Sequence, residues 1–137
     1  MLAAGQRLTE PELFRSASRQ GRRAGSRTLV VHLLLADEQQ VVGMSGGVHE
    51  QPHEQPNERP ARVGFVVSKA VGGAVVRNRV KRRLRHLMRE RMLAFPPEAV
   101  LVVRAQPAAA DASYPTLARE LDRCLDRVRA GGPEAAR

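Results

Sequence analysis

The chain has 137 residues, 42% hydrophobic and only 3% aromatic, with 23 Lys and Arg against 14 Asp and Glu for a net charge of +9. That length suits one domain with a modest core. No apolar run approaches the ~18 residues of a membrane span, and the first seven residues lack the apolar stretch of a signal peptide. The single cysteine, Cys124, can form no internal disulfide, which fits a reducing, cytoplasmic setting. A pI near 11.4 points to nucleic acid first and an anionic membrane second.

In chain order, Leu8-Thr9-Glu10-Pro11-Glu12-Leu13 reads as a helix start, with Thr9 as N-cap, Glu12 closing a capping box and Leu8 stapled onto Leu13. Pro11 is tolerated so early in a helix. The helix carries Leu13, Phe14 and Ala17 and stops at Gly21. Arg15, Arg19, Arg22, Arg23 and Arg27 make this region a second, weaker basic element. Residues 29–35 alternate apolar side chains on both faces, the pattern of a strand covered on each side. His32 sits mid-strand, as a core histidine or a cleft histidine; no Cys or acid stands at metal-ligand spacing to it.

Residues 43–60 change character. Gly43-Met44-Ser45-Gly46-Gly47 matches a serine-hydrolase elbow and His49-Glu50-Gln51-Pro52-His53 a zinc motif, and both are rejected. The first needs a helix after the turn on a large α/β scaffold; the second needs one helix under both histidines, and Pro52 interrupts it. His-Glu-Gln-Pro occurs twice in succession, so this is a flexible low-complexity insert between two strands. The domain is therefore 1–130 with the insert at 43–60, and 131–137 a frayed tail.

A second strand is expected over 63–68, then a Gly-rich loop over 69–74 that leads into a helix and could hold an anion. The loop lacks the Gly-Lys-Ser/Thr of a nucleotide-hydrolysing P-loop. In the helix Val76, Val80, Leu84, Leu87 and Met88 recur at three- and four-residue spacing and form one apolar stripe. Asn78, Arg79, Arg82, Arg85, His86 and Arg89 fall opposite. From Arg62 to Arg91 ten basic residues face the single acid Glu90, so the segment holds the chain's entire net charge of +9. A solvated helix face normally mixes signs; like-charge repulsion on this scale is relieved by a phosphate backbone. The stripe lacks the bulky aromatics of an interfacial membrane anchor.

The helix is expected to end near Phe95-Pro96-Pro97. Residues 99–103 form a continuous apolar run, a buried strand parallel to the previous one with the basic helix as crossover. Residues 107–112 read as loop. Ser113 caps a last helix whose Leu117, Leu121, Cys124, Leu125 and Val128 form a core stripe, making Cys124 a packing residue.

Ser68-Lys69-x-x-Gly72-x-Ala74-Val75-x-Arg77-Asn78-Arg79-Val80-Lys81-Arg82-x-x-Arg85 closely resembles the signature of the bacterial ribonuclease P protein subunit. Arg7-Leu8, Phe14, Gly21, Arg27, Pro107 and Ser113-Tyr114 extend the resemblance over nearly the whole chain outside the insert. It implies an α/β (α+β) two-layer sandwich, ribosomal-protein-S5-domain-2-like, with a small mixed sheet and a left-handed β-α-β crossover, against the general right-handed rule. It implies that a catalytic RNA with its own Mg²⁺ cuts precursor tRNA, while the protein docks on that RNA and holds the 5′ leader in a cleft between the first helix and the sheet. By position, Arg77, Asn78, Arg79, Lys81, Arg82 and Arg85 are then the RNA-contacting set, and Phe14, His32 and Lys69 the leader-binding candidates. No protein partner and no membrane is implied. Two positions depart from the family pattern: Ser18 stands where a second aromatic is common, and His32 where an aromatic is common.

The residues agree in offering no hydrolytic machinery. Phosphodiester hydrolysis needs a carboxylate metal clamp or a histidine acid–base pair, and Glu90, Asp111 and Asp122 are scattered along the chain. A ribosomal or structural RNA-binding protein is the second reading. A DNA-binding basic helix is the third, and it lacks dimerising heptads.

Overall fold

The computed structural model describes residues 6–9, 11–35 and 60–130. The insert up to residue 59 and the tail therefore lie outside the described residues. Among the described residues seven principal elements follow in order: α1 (Pro11–Gln20), β1 (Arg22–Gly25), β2 (Leu29–Leu34), β3 (Arg62–Val66), α2 (Ala74–Arg91), β4 (Val100–Ala105) and α3 (Tyr114–Ala130). The strands form one mixed sheet in the order β1-β2-β4-β3. β2 pairs antiparallel with both β1 and β4, whereas β3 and β4 are parallel and joined through α2. The parallel pair with a helical crossover is the one expected from the two apolar strand runs, and the mixed α+β sheet is the one the resemblance implied.

The sheet is covered on both faces because its central strands are apolar on both. All six residues of β2 are buried, and β4 is buried at five of six positions. On one face Leu29, Val31, Leu33, Leu101 and Val103 meet Val80, Leu84, Leu87 and Met88 of α2 and the α3 stripe in the larger core. On the other, Leu34, Val100 and Val102 pack with Leu8 and Ala17, and with half-buried Leu13 and Phe14 from α1. The α3 stripe is buried at Leu117, Leu121, Cys124, Leu125 and Val128 as its periodicity requires. Ser113 caps it, its Oγ accepting the Thr116 N–H at 3.2 Å. Arg91 ties α2 to α3 through two contacts to the Asp122 carboxylate, at 2.6 and 3.1 Å.

Four local expectations change. α1 begins at Pro11, so Thr9 lies outside the capping position. The cause is non-local: Arg7 bridges Val63 in parallel and the Leu8 N–H donates to the Val63 carbonyl at 3.0 Å, holding the chain extended along the outer edge of β3. β1 was not expected from Arg22-Arg23-Ala24-Gly25; it forms as a hairpin partner of β2, closed by the Ser26 N–H on the Leu29 carbonyl at 2.7 Å. α2 stops at Arg91 and passes into a 3-10 turn, Met92–Ala94, before buried Phe95. The segment expected as open loop contains a 3-10 turn, Pro107–Ala110.

Candidate nucleic-acid interface

The cations of α2 divide into files, because at about 100° per residue positions four apart stay on one flank. Arg77, Lys81 and Arg85 form one flank and are half-buried. Asn78, Arg82, His86 and Arg89 form an exposed crest. Arg79 and Arg83 form the other flank, where Arg79 Nη2 donates to the Ala110 carbonyl at 3.3 Å and Arg83 Nη1 to the Ala112 carbonyl at 3.2 Å. The sequence placed Arg79 with the solvated face; the structure turns it toward the segment preceding α3.

The first flank opens onto a cleft. Lys81 and Arg85 line a cavity of about 300 Å³ together with Arg7, Leu8, Thr9, Phe14, Val63, Gly64 and Phe65. The cleft thus joins the N-terminal segment, α1, β3 and α2, and puts three cationic side chains and two aromatic rings in one recess. Phe14 reaches it by lying on the backbone of β3: a Cβ at Gly64 would stand 2.1 Å from Phe14 Cζ. Sequence reasoning missed Gly64, Phe65, Arg7 and Thr9 as cleft residues. The available signal was a glycine between valine and phenylalanine inside a strand, which marks close approach of another group.

The N-terminal end of α2 is held differently. Arg77 Nε donates to the Gly72 carbonyl at 3.1 Å, and Gly73 at the cap position supplies no side-chain hydrogen bond to the first turn. Gly72 has φ 157°, and a Cβ there would meet Val76 Cγ1 at 2.9 Å. Lys69 is exposed in the turn before the helix.

The three leader candidates do not share one cavity. Phe14 lines the cleft, whereas His32 and Lys69 are not among its walls. His32 is 6% exposed. It lies opposite Val102 and two residues from Leu34, on the α1 face of the sheet. Its Nδ1 is buried without a hydrogen-bond partner. Burial first, then the charges of Arg104 and Arg23, lower its pKa to about 4. The imidazole is therefore neutral at pH 7.

This has a measurable consequence. The unfolded chain takes up a proton at His32 below about 6.5, while the folded one resists until about 4. Stability contributed by the neutral ring is thus present above pH 6.5 and falls as pH drops toward 4, by up to about 1.4 kcal/mol per unit. In urea unfolding at pH 7, 5.5 and 4.5, His32→Phe is expected to show a flatter pH dependence than wild type. Parallel curves would place His32 in water.

Among the described residues no three His, Cys, Asp or Glu side chains gather as a metal site. No described helix is long and apolar enough to cross a membrane. Buried Cys124 has its thiol pKa raised, chiefly by burial.

Fold and site together define a class: a small mixed-sheet α+β protein whose crossover helix carries the positive charge and flanks an aromatic cleft. Comparison with known proteins agrees. The family model described as Ribonuclease P matches residues 2–129. A ribonuclease P protein component of a Nocardioides species is 55% identical over 130 residues, covering 95% of this chain and 97% of the relative. That of Streptomyces avermitilis is 52% identical over 132 residues, covering 96% and 98%. The solved ribonuclease P protein of Staphylococcus aureus matches with a TM-score of 0.66 at 21% identity, covering 88% of this chain and 93% of the other. One from Thermotoga maritima, in complex with 1-(4-fluorophenyl)-2-thiourea, matches at 0.61 and 19%, covering 91% and 99%. The chain belongs to the ribonuclease P protein family. The family assignment favours a ribonuclease P subunit over an unrelated ribosomal or structural RNA-binding protein.

Proposed function

We propose that the protein docks on the catalytic RNA of ribonuclease P, holds the 5′ leader of precursor tRNA and promotes endonucleolytic removal of that leader in the cytoplasm. The observation that carries this reading is the cleft in which Phe14 and Phe65 meet Lys81 and Arg85. Unpaired bases stack on aromatic faces whatever their identity, and cationic side chains beside them neutralise the backbone. Such a recess suits a segment that is single-stranded and variable in sequence.

In this reading Arg77, Asn78, Lys81, Arg82 and Arg85 face RNA, and Phe14 is the stacking platform. Lys69, exposed before α2, reaches phosphate at the rim. Neutral His32 supports the sheet face behind α1 rather than supplying charge. The hydrolytic step and its Mg²⁺ belong to the RNA and the substrate.

Reconstitution tests the proposal. Adding the protein to ribonuclease P RNA at low Mg²⁺ should accelerate cleavage of precursor tRNA and tighten its binding, with little effect on mature tRNA. Equal effects on both tRNAs would remove the leader from the proposal. No effect on either would remove the RNA subunit as partner.

A further inference from the structure

The helix that carries the charge does not expose all of it. Arg79 and Arg83, four residues apart on one flank of α2, both point at backbone. Arg79 Nη2 donates to the carbonyl of Ala110, the last residue of the Pro107–Ala110 turn, and Arg83 Nη1 to the carbonyl of Ala112, just beyond it. Arg79 Nε is buried and unpartnered, so that edge of the guanidinium is closed to an incoming phosphate. Both carbonyls lie in the short segment leading to Ser113, the cap of α3. The two arginines therefore form a bracket between α2 and the entry to α3, over a separation of 31 and 29 residues.

We propose that Arg79 is a positioning residue, with Arg83 as its companion: they fix the roll of α2 against the 107–113 segment and leave phosphate contact to the crest and the cleft flank. A carbonyl is a natural partner here, since a guanidinium has no acceptor of its own and two fixed dipoles relieve part of the repulsion along the helix. The roll matters because Lys81 and Arg85 lie on the flank opposite the bracket. Any rotation of α2 about its axis moves them relative to Phe14. This inference rests on the reading of α2 as an RNA-binding helix and separates its cations into two kinds.

The test compares Arg79→Gln with Arg82→Gln in binding to ribonuclease P RNA across a salt series, at a temperature where circular dichroism shows both fully folded. Arg82→Gln should flatten the plot of log K against log salt by about one unit. Arg79→Gln should keep the wild-type slope yet bind roughly tenfold more weakly at every salt concentration. A slope flattened by Arg79→Gln as much as by Arg82→Gln overturns the positioning role while leaving the RNA-binding reading intact. Wild-type affinity in Arg79→Gln also overturns it, since a bracket without influence on the RNA face positions nothing. If Arg82→Gln itself leaves the slope unchanged, the reading of the helix falls and takes the inference with it. Should Arg79→Gln not fold, phenylglyoxal modification of the wild-type protein asks the same question: the RNA should shield Arg82 and leave the Arg79 rate unchanged, and equal shielding of both is the overturning result.

Discussion

Phe14→Ala is expected to weaken binding of precursor tRNA to the assembled holoenzyme by about 1–3 kcal/mol, the worth of one stacked base, while mature tRNA binds as before. The sequence left Phe14 between core and cleft, and the structure gives it a share of each. One side packs on Gly64 and joins the cluster of Leu8, Ala17, Leu34, Val100 and Val102. The ring is nevertheless half-buried and lines the cleft with Lys81 and Arg85. Truncation should therefore also cost stability, but less than the ~3–5 kcal/mol of a fully buried phenylalanine. Measuring both tRNAs and the melting temperature of one variant divides the two shares. Equal loss for both tRNAs with a large drop in melting temperature would assign the residue to the core.

The second large effect is expected at Gly64, which touches no candidate ligand group through a side chain. In Gly64→Val the new Cβ would stand 2.1 Å from Phe14 Cζ and 2.5 Å from Cε1, so the ring must leave its seat. Overpacking of this kind costs about 1–3 kcal/mol of stability. The displaced ring has the cleft as its open side, and precursor-tRNA affinity should fall about as far as in Phe14→Ala. A double-mutant cycle isolates the cause. In the Phe14→Ala background, Gly64→Val should be nearly harmless to stability, because the obstructing ring is gone, but affinity should stay low. If valine destabilises both backgrounds equally, the strand itself and not the ring contact resists the substitution.

Much of the scaffold was legible because its signals are local. The five-residue apolar stripe of α3 and the unbroken run of β4 need only helical or strand periodicity, and both are buried as read. The parallel β3–β4 pair followed from two apolar strands flanking one long helix. What escaped depends on partners far along the chain. β1 has two arginines and a glycine and becomes a strand only beside β2. Thr9 loses its capping role because Arg7 and Leu8 are held by Val63. A helical wheel gives the azimuth of Arg79 and Lys81 but not what lies beyond each flank. The carbonyls of Ala110 and Ala112 on one side and Phe14 on the other are tertiary facts.

The strand order β1-β2-β4-β3 also governs how the chain is born. β2 and β3 are separated in the sheet by β4, which leaves the ribosome last of the strands. Until β4 has been made, β3 has among the described residues only the Arg7 bridge along its outer edge, and β2 only the short β1. At 5–20 residues per second, synthesis from the end of β3 to the end of β4 takes roughly 2–8 s, and through that interval two apolar strands await their common partner. The stretch synthesised meanwhile includes α2, and the positive charge it carries repels a second copy of itself. Like charge of that density opposes association of two such chains before the sheet is complete.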